Sequence, residues 1–410
     1  MATIGILLAG TAILLLGNGL FSTLLGVRAS LEEFDLSTTG LIMSSYFLGY
    51  IGGSFLCVHA VLRVGHIRTF AALSALLAAI AVTHAIFVDP LVWGILRLAA
   101  GFCIVGLYLV IESWLNARSP AALRGRVFSV YMTVNLLAVA VGQFLLVLYD
   151  PREFQLFGLV TILFALSLVP IVLARVEAPA PQEPTGLTLG RLYRASPVGV
   201  VGCLASGFIA GSFWGMGPVF AKNIGLSQSG IAAFMSVTIL GGMLAQWPVG
   251  LLSDRRDRRK IITAAAAAAM VAAVAVFAVA GRWMAPLIAL SALFGAAMFP
   301  LYSLAVARTH DMLDPEEILE ATRGLVLVFG VGAVLGPLAA GFVMDALSPA
   351  AMFAMFALTY ALLVGFCLYR MPRRDPVPVE AQTAFVPLLR TSQQAAEMAE
   401  APNLAPDAKA

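Results

Sequence analysis

Arg97 is the residue of this chain with the clearest chemical potential, because it is a basic side chain set deep within a long apolar run. Gly101, Tyr108 and Glu112 follow it at 4, 11 and 15 positions. At about 100° per residue, all four fall on one stripe of a helix. A charged group in apolar surroundings needs a partner or water, so the stripe predicts a polar face that lines a cavity.

The elements that must position this stripe are membrane-spanning helices. Hydrophobic residues make up 60% of the chain and charged residues 11%, whereas a soluble domain carries about 25% charged residues. Twelve apolar runs approach the ~20 residues that a spanning helix needs, and only helices satisfy their own backbone in lipid. The runs lie near 3–27, 38–60, 69–88, 91–116, 125–149, 154–174, 197–221, 228–252, 261–281, 284–307, 322–345 and 349–370.

An internal repeat divides these runs into two halves. Met43-Ser44, Leu48-Gly49 and Arg63 recur 192 positions later as Met235-Ser236, Leu240-Gly241 and Arg255. A duplicated membrane-length unit is typical of two-halved transporters. The prediction is an all-α membrane protein of two pseudo-symmetric six-helix bundles. The predicted parts are an amino-terminal bundle (1–174), a cytoplasmic linker (175–196), a carboxy-terminal bundle (197–370) and a disordered cytoplasmic tail (371–410).

The distribution of basic residues predicts the orientation. With the amino terminus in the cytoplasm, 20 of the 25 Lys and Arg residues fall in cytoplasmic segments and four in outer loops, while Arg97 lies within a span. This bias agrees with the positive-inside rule, so both termini are expected in the cytoplasm. We therefore expect a multi-pass protein of the cell membrane, in a bacterium the inner membrane.

A basic hinge follows the eighth run. The stretch Gly250-Leu-Leu-Ser-Asp254-Arg255-Arg256-Asp257-Arg258-Arg259 resembles the signature of the major facilitator superfamily, which occurs after the second helix and again after the eighth. In the first copy only part of the pattern survives, including Arg63. The resemblance implies a cytoplasmic latch in which Asp254 caps a neighbouring helix end. The alternative is that the basic cluster only sets topology. The latch set is Gly250, Asp254, Arg255, Arg258, Arg63, Arg124 and Arg126.

Four further stretches carry the resemblance. Pro120-Ala-Ala-Leu-Arg124-Gly125-Arg126 is similar to a loop of many superfamily members, in which an acid at the position of Glu112 pairs with the arginines. Arg97-Leu-Ala-Ala-Gly101 resembles a helix-four motif that the family links to proton coupling. Glu112-Ser-Trp-Leu-Asn116, together with Gly65-His66-Ile67-Arg68, resembles a YcaD-like subgroup. The fifth run lacks the Gly-Pro motif of drug–proton antiporters, which weighs against that activity.

The charges inside the spans indicate the class of solute. None of the 22 acidic residues lies at the centre of a predicted span, and exporters of cations usually need such an acid. Arg97 instead favours an anionic or neutral amphipathic solute. The arginine would either attract this solute or relay the coupling of its transport. The alternative is a structural arginine paired near the outer surface with Glu32 or Glu33. Arg28 and Glu33 are predicted at an outer gate.

Further positions are predicted to line the cavity or to couple transport. Isolated amides in lipid need hydrogen-bond partners, and helix–helix bonding alone also satisfies them. The aromatic candidates also suit packing or lipid contact. The predicted set is Arg97, Glu112, Asn18, Tyr46, Tyr50, Tyr108, Asn135, Trp214, Gln246 and Tyr302, with Tyr131 on the same helix face as Asn135.

The predicted function is secondary active transport by alternating access, first as proton-coupled export. Proton-coupled uptake, facilitated exchange of a metabolite and lipid flipping are the alternatives. An intramembrane enzyme would need a nucleophile–base pair, paired carboxylates or metal ligands at membrane depth, and the sequence offers no such set. A Gly-x-x-x-x-Gly-Lys loop is also absent. We expect a monomer with a small-molecule substrate, protons and the bilayer as partners, and no cofactor, metal or nucleic acid.

Overall fold

The computed structural model describes residues 2–120, 123–173, 189–314, 317–373 and 375–386. These residues form thirteen α-helices, of which twelve are long and apolar enough to cross a membrane. The helices are α1 (Ala2–Leu31), α2 (Leu36–Val64), α3 (His66–Ile86), α4 (Pro90–Arg118), α5 (Arg124–Phe144), α6 (Gln155–Leu173), α7 (Leu189–Ala195), α8 (Pro197–Asn223), α9 (Gln228–Asp254), α10 (Arg258–Val279), α11 (Met284–His310), α12 (Ile318–Ala346) and α13 (Ala351–Arg370).

The twelve predicted spans and the all-α class are confirmed. Most helices extend beyond the apolar runs, and α9 continues through Asp254, which was predicted in a loop. Short polar residues start several helices. Asp89 accepts hydrogen bonds from the backbone of Leu91 and Val92 ahead of α4, and Ser196 accepts one from Gly199 ahead of α8. Both caps precede a proline, the pattern that favours a sharp helix start.

Two glycines hold α2 and α4 in close contact. A Cβ at Gly49 would lie 1.8 Å from the carbonyl oxygen of Leu98, and one at Gly101 would lie 1.9 Å from that of Tyr46. Larger side chains cannot fit, because the obstructing atoms belong to the backbone. Small residues at such a crossing let the helices pack by van der Waals contact in lipid.

The same crossing recurs between α9 and α11 in the second half. A Cβ at Gly241 would lie 2.2 Å from the carbonyl oxygen of Ala292, and one at Gly295 would lie 1.9 Å from that of Thr238. These residues follow their counterparts by 192 or 194 positions. The duplication seen in the sequence is therefore a duplication of helix packing.

The described contacts between the two halves run from one end of the bundle to about its middle. We call the end where α2, α4, α9 and α11 finish the basic end, and the other the far end. Toward the far end, Asn223 Nδ2 donates to Ser30 Oγ at 3.1 Å, and Ser236 Oγ donates to the carbonyl of Ala140 at 2.7 Å. The glycine-lined contact of α2 with α12 lies there as well, because a Cβ at Gly341 would be 2.5 Å from the Leu36 carbonyl.

Two of the predicted connecting segments are partly structured. The stretch predicted as linker contains the helix α7, although residues 174–188 lie outside the described residues. The tail was predicted to be disordered from 371, but part of it bonds to the helix ends: Phe385 donates to Asp254 at the end of α9, and Thr383 donates to Asp311 after α11. Residues 387–410 lie outside the described residues.

Candidate functional site

Arg97 lies in α4, against α2. The side chain is 2% exposed, and its guanidinium carbon is 4.3 Å from the centroid of the Tyr46 ring. The Tyr50 ring follows along α2, with its centroid 6.4 Å from that of Tyr46. No hydrogen-bond acceptor among the described residues meets Arg97 Nε. The glycine crossing of α2 and α4 makes this contact possible, since Gly101 and Tyr46 are themselves in contact there. A ring face attracts a desolvated cation.

The acids proposed as structural partners of Arg97 lie elsewhere. Glu32 accepts a hydrogen bond from Arg28 Nε at 2.5 Å, and Arg28 also donates to the carbonyls of Pro151 and Arg152. Glu33 is exposed and has a left-handed backbone, with φ of 58°. These Arg28 contacts all stay within the amino-terminal half, so in this conformation Arg28 ties that half together.

Glu112 occupies the other end of the predicted stripe. It is fully buried and accepts a hydrogen bond from the Tyr131 hydroxyl at 2.9 Å. On the same face, the Tyr108 hydroxyl is 3.4 Å from Asn135 Oδ1, whereas Asn135 Nδ2 is buried with no acceptor among the described residues. The stripe presents a carboxylate at one end and a cation at the other, and Arg97 Nε and Asn135 Nδ2 are buried donors with no acceptor in the part of the chain that the structure describes.

An apolar wall between the halves accompanies the stripe. Tyr108, Trp214 and Phe299 pack around a small cluster that joins both halves, with the Trp214 and Phe299 centroids 6.2 Å apart. The cluster itself consists of Leu15, Leu136, Ala138, Val139, Ala140 and Ile239. An apolar surface with a few polar anchors suits an amphipathic ligand.

Three predicted lining residues are not brought to the stripe by any contact described for the chain. Asn18 is half-buried on α1, and Gln246 is buried on α9. Tyr302 on α11 packs against Phe329, with ring centroids 4.9 Å apart. Packing is one of the two readings that the sequence left open for the aromatic candidates, and Tyr302 follows it in this conformation.

The hinge after α9 is organised by Arg258, which is completely buried. Its guanidinium reaches Asp254 Oδ1 at 3.0 Å and Asp311 Oδ1 at 2.6 Å, and its Nε donates to Ser253 Oγ at 2.9 Å. Asp311 was not singled out from the sequence, since a lone acid after α11 gives no local signal for a partner 53 residues away. The remaining latch candidates Arg63, Arg126 and Arg255 are exposed, and Arg124 is partly exposed.

Asp257 starts α10. It accepts hydrogen bonds from the backbone and side chain of Arg259. Burial alone would raise the pKa of this carboxyl, but the Arg259 hydrogen bonds and the charges of Arg259 and Arg308 outweigh that effect and lower the pKa below its usual value. The carboxylate is thus a charged helix cap.

The comparisons with known proteins agree with this architecture. The family model of the Major Facilitator Superfamily matches residues 7–309 and 199–397. The chain belongs to the major facilitator superfamily. The uncharacterized MFS-type transporter YcaD of Escherichia coli O17:K52:H18 (strain UMN026 / ExPEC) is 28% identical over 378 residues, which cover 91% of this chain and 97% of that protein.

Solved superfamily structures share the fold at low sequence identity. The nucleoside transporter NupG matches with a TM-score of 0.75 and 15% identity, over 92% of this chain and all of that one. A bacterial homologue of the human lysosomal transporter Spinster, in an inward-facing and occupied conformation, matches with a TM-score of 0.72 and 12% identity, over 93% of this chain and 97% of that one. The twelve helices of this superfamily member thus have the arrangement expected of its family.

Proposed function

We propose that this superfamily member is a proton-coupled secondary transporter of small amphipathic solutes that carry an anionic or neutral oxygen acceptor. The observation that supports the solute class is the pair of buried donors, Arg97 Nε and Asn135 Nδ2, that no acceptor among the described residues satisfies. Leaving a buried donor unsatisfied costs about 1–3 kcal/mol, so a solute that supplies the acceptor is favoured.

Glu112 is the proposed proton carrier. A fully buried carboxylate is expensive in its charged form, and protonation removes that cost. Protonation also changes its bond with Tyr131, which lies on the neighbouring helix α5. The proton and the solute would thereby act on the same half of the protein. A proton gradient can drive transport in either direction, so we propose export first and keep uptake as the second candidate. NupG is by its name a nucleoside transporter, so a neutral polar solute is compatible with this fold.

Alternating access would operate by rocking the two bundles. The described contacts between the halves run from the far end to about mid-helix, and no bond described for Asp254 involves a latch residue of the first half. With the basic end placed in the cytoplasm of a bacterium, this arrangement corresponds to a conformation open to the cytoplasm. The latch would form when the basic end closes.

Proteoliposomes with an imposed pH gradient and an internal pH-sensitive dye test the proposal. Benzoate and salicylate serve as anionic probes, uridine as a neutral one and tetraphenylphosphonium as the cation. We expect proton flux with an anionic or neutral probe, a loss of about 10-fold or more in Arg97→Ala, and loss of proton flux in Glu112→Gln. Transport of the cation at equal rates by the wild type and Arg97→Ala would overturn the solute class, and solute transport without pH dependence would overturn the coupling.

A further inference from the structure

We propose that residues 377–386 of the tail form a strap that holds the basic end open by covering the surface of α9 that the first half must reach. The inference rests on the alternating access proposed above and adds a regulatory element to it. Gln382, Thr383 and Phe385 are the residues of the strap that contact the hinge.

The strap is attached by specific bonds. The Thr383 backbone amide and hydroxyl both donate to Asp311 Oδ1 at 2.9 Å, and its carbonyl accepts from Arg258 at 2.7 Å. The Phe385 amide donates to Asp254 Oδ1 at 2.8 Å. Hydrogen bonds to charged groups are among the stronger ones, so this is a defined docking site for the segment.

Phe385 also covers Gly250, because a Cβ on this glycine would be 2.4 Å from the edge of the phenyl ring. The signature glycine and the signature acid of the hinge are therefore both engaged by the chain's own tail. In the closed latch, the same two residues would have to face the opposite half.

The helical phase of α9 shows which face of the helix the strap covers. Met243, Gly250 and Asp254 lie 7, 14 and 18 positions after Ser236, which at about 100° per residue places them within about 40° of one line. Ser236 bonds to α5, and Met243 packs on the inter-half cluster that contains Leu136 of α5. Gly250 and Asp254 thus continue the face of α9 that meets α5.

Closure of the basic end would bring the start of α5 against this face. That start carries Arg124 and Arg126, and the amino end of a helix is itself positive, so it complements Asp254. In the present conformation, Phe385 covers this face of α9 at Gly250. The strap and the first half therefore compete, and the strap must leave before the latch forms.

A reporter cysteine at Ser30 measures the competition between the strap and the first half, since Ser30 is half-buried at the contact between the halves. The four native cysteines are buried. The full-length protein in detergent is labelled with a maleimide. We expect Phe385→Ala to raise the labelling rate about fivefold, because the rate follows the population parted at the far end. Thr383→Val should act in the same direction. Glu380→Gln is the matched control, being exposed in the same segment.

Gly341→Ala in the same reporter background separates this inference from the proposed function. It places a methyl group against the Leu36 carbonyl and should part the far end whatever the strap does. If Gly341→Ala speeds labelling while Phe385→Ala and Thr383→Val match Glu380→Gln, the strap is refuted and alternating access stands. If none of the variants speeds labelling, both proposals fall.

Discussion

At the residue scale, the central fact is that Arg97 is held by a ring face. Tyr46 attracts the charge without neutralising it, whereas a carboxylate would neutralise it. A cation of this kind stays available to an anion that enters later, and its buried Nε still needs an acceptor.

Replacing the ring tests this contact. In a double-mutant cycle of Tyr46→Leu with Arg97→Met, we expect a coupling of about 1–2 kcal/mol, because the desolvated cation–π pair is lost in either single variant. Tyr46→Phe, which keeps the ring, is the control and should retain most of the coupling. Thermal unfolding of the purified protein, followed by tryptophan fluorescence, measures the four corners. A coupling near zero would mean that Tyr46 only fills space.

Asp257 gives a residue-scale prediction with a pH sign. Its pKa in the folded protein lies below its usual value, so its charge stabilises the fold above that value, and the effect is lost as the pH falls through the lowered pKa. Asp257→Asn keeps a helix cap but loses the charge. We expect its melting temperature to be below that of the wild type at pH 7, with the gap closing as the pH falls below the usual pKa of an aspartate. A gap that persists unchanged at low pH would contradict this assignment.

At the element scale, the glycine crossings set how closely the helices approach each other. Gly49 and Gly101 let α4 approach α2 until backbone meets backbone, and this approach puts Arg97 over Tyr46. The site therefore depends on residues that carry no chemistry of their own.

Gly49→Ala tests the crossing, and Gly52→Ala is its control on the same helix. The methyl group at 49 would overlap the Leu98 carbonyl, whereas a Cβ at 52 meets nothing within 4 Å. Overpacking against backbone costs about 1–3 kcal/mol, so Gly49→Ala should lower the melting temperature and Gly52→Ala should leave it nearly unchanged. Equal melting temperatures would show that the helices separate without cost.

The elements also show what the sequence could and could not predict. Hydropathy was sufficient for the twelve spans, and the repeat of Leu48-Gly49 at Leu240-Gly241 foreshadowed the paired crossings, because both signals are local. The stripe from Arg97 to Glu112 followed from helical phase. The docking of Thr383 on Asp311 did not, since the short segment around Thr383 shows no helical or strand periodicity and its partner lies 72 residues away.

At the scale of the whole molecule, two similar halves are arranged asymmetrically. They share the same internal crossings, but they touch each other mainly toward the far end, where Ser30 meets Asn223 and Ser236 meets α5. In a rocking mechanism, a loss of contact at that end must be accompanied by a gain at the basic end. The two ends should therefore change in opposite directions.

Spin labels at exposed positions can follow both ends. The pair Asp150→Cys and Ser229→Cys reports the far end, and Ser129→Cys with Arg256→Cys, both outside the latch set, reports the basic end. Gly341→Ala weakens the far-end contact, so we expect the first distance distribution to lengthen and the second to shorten, since one equilibrium governs both.

Gly365→Ala on α13 is the control, because a Cβ there meets nothing within 4 Å and both distributions should match the unaltered pairs. If the bundles are rigid, the distance at the basic end must shorten whenever the distance at the far end lengthens. A far end that opens while the basic end keeps its distribution would mean that the halves do not rock as units, and that Gly341 closes only a local gap between α2 and α12.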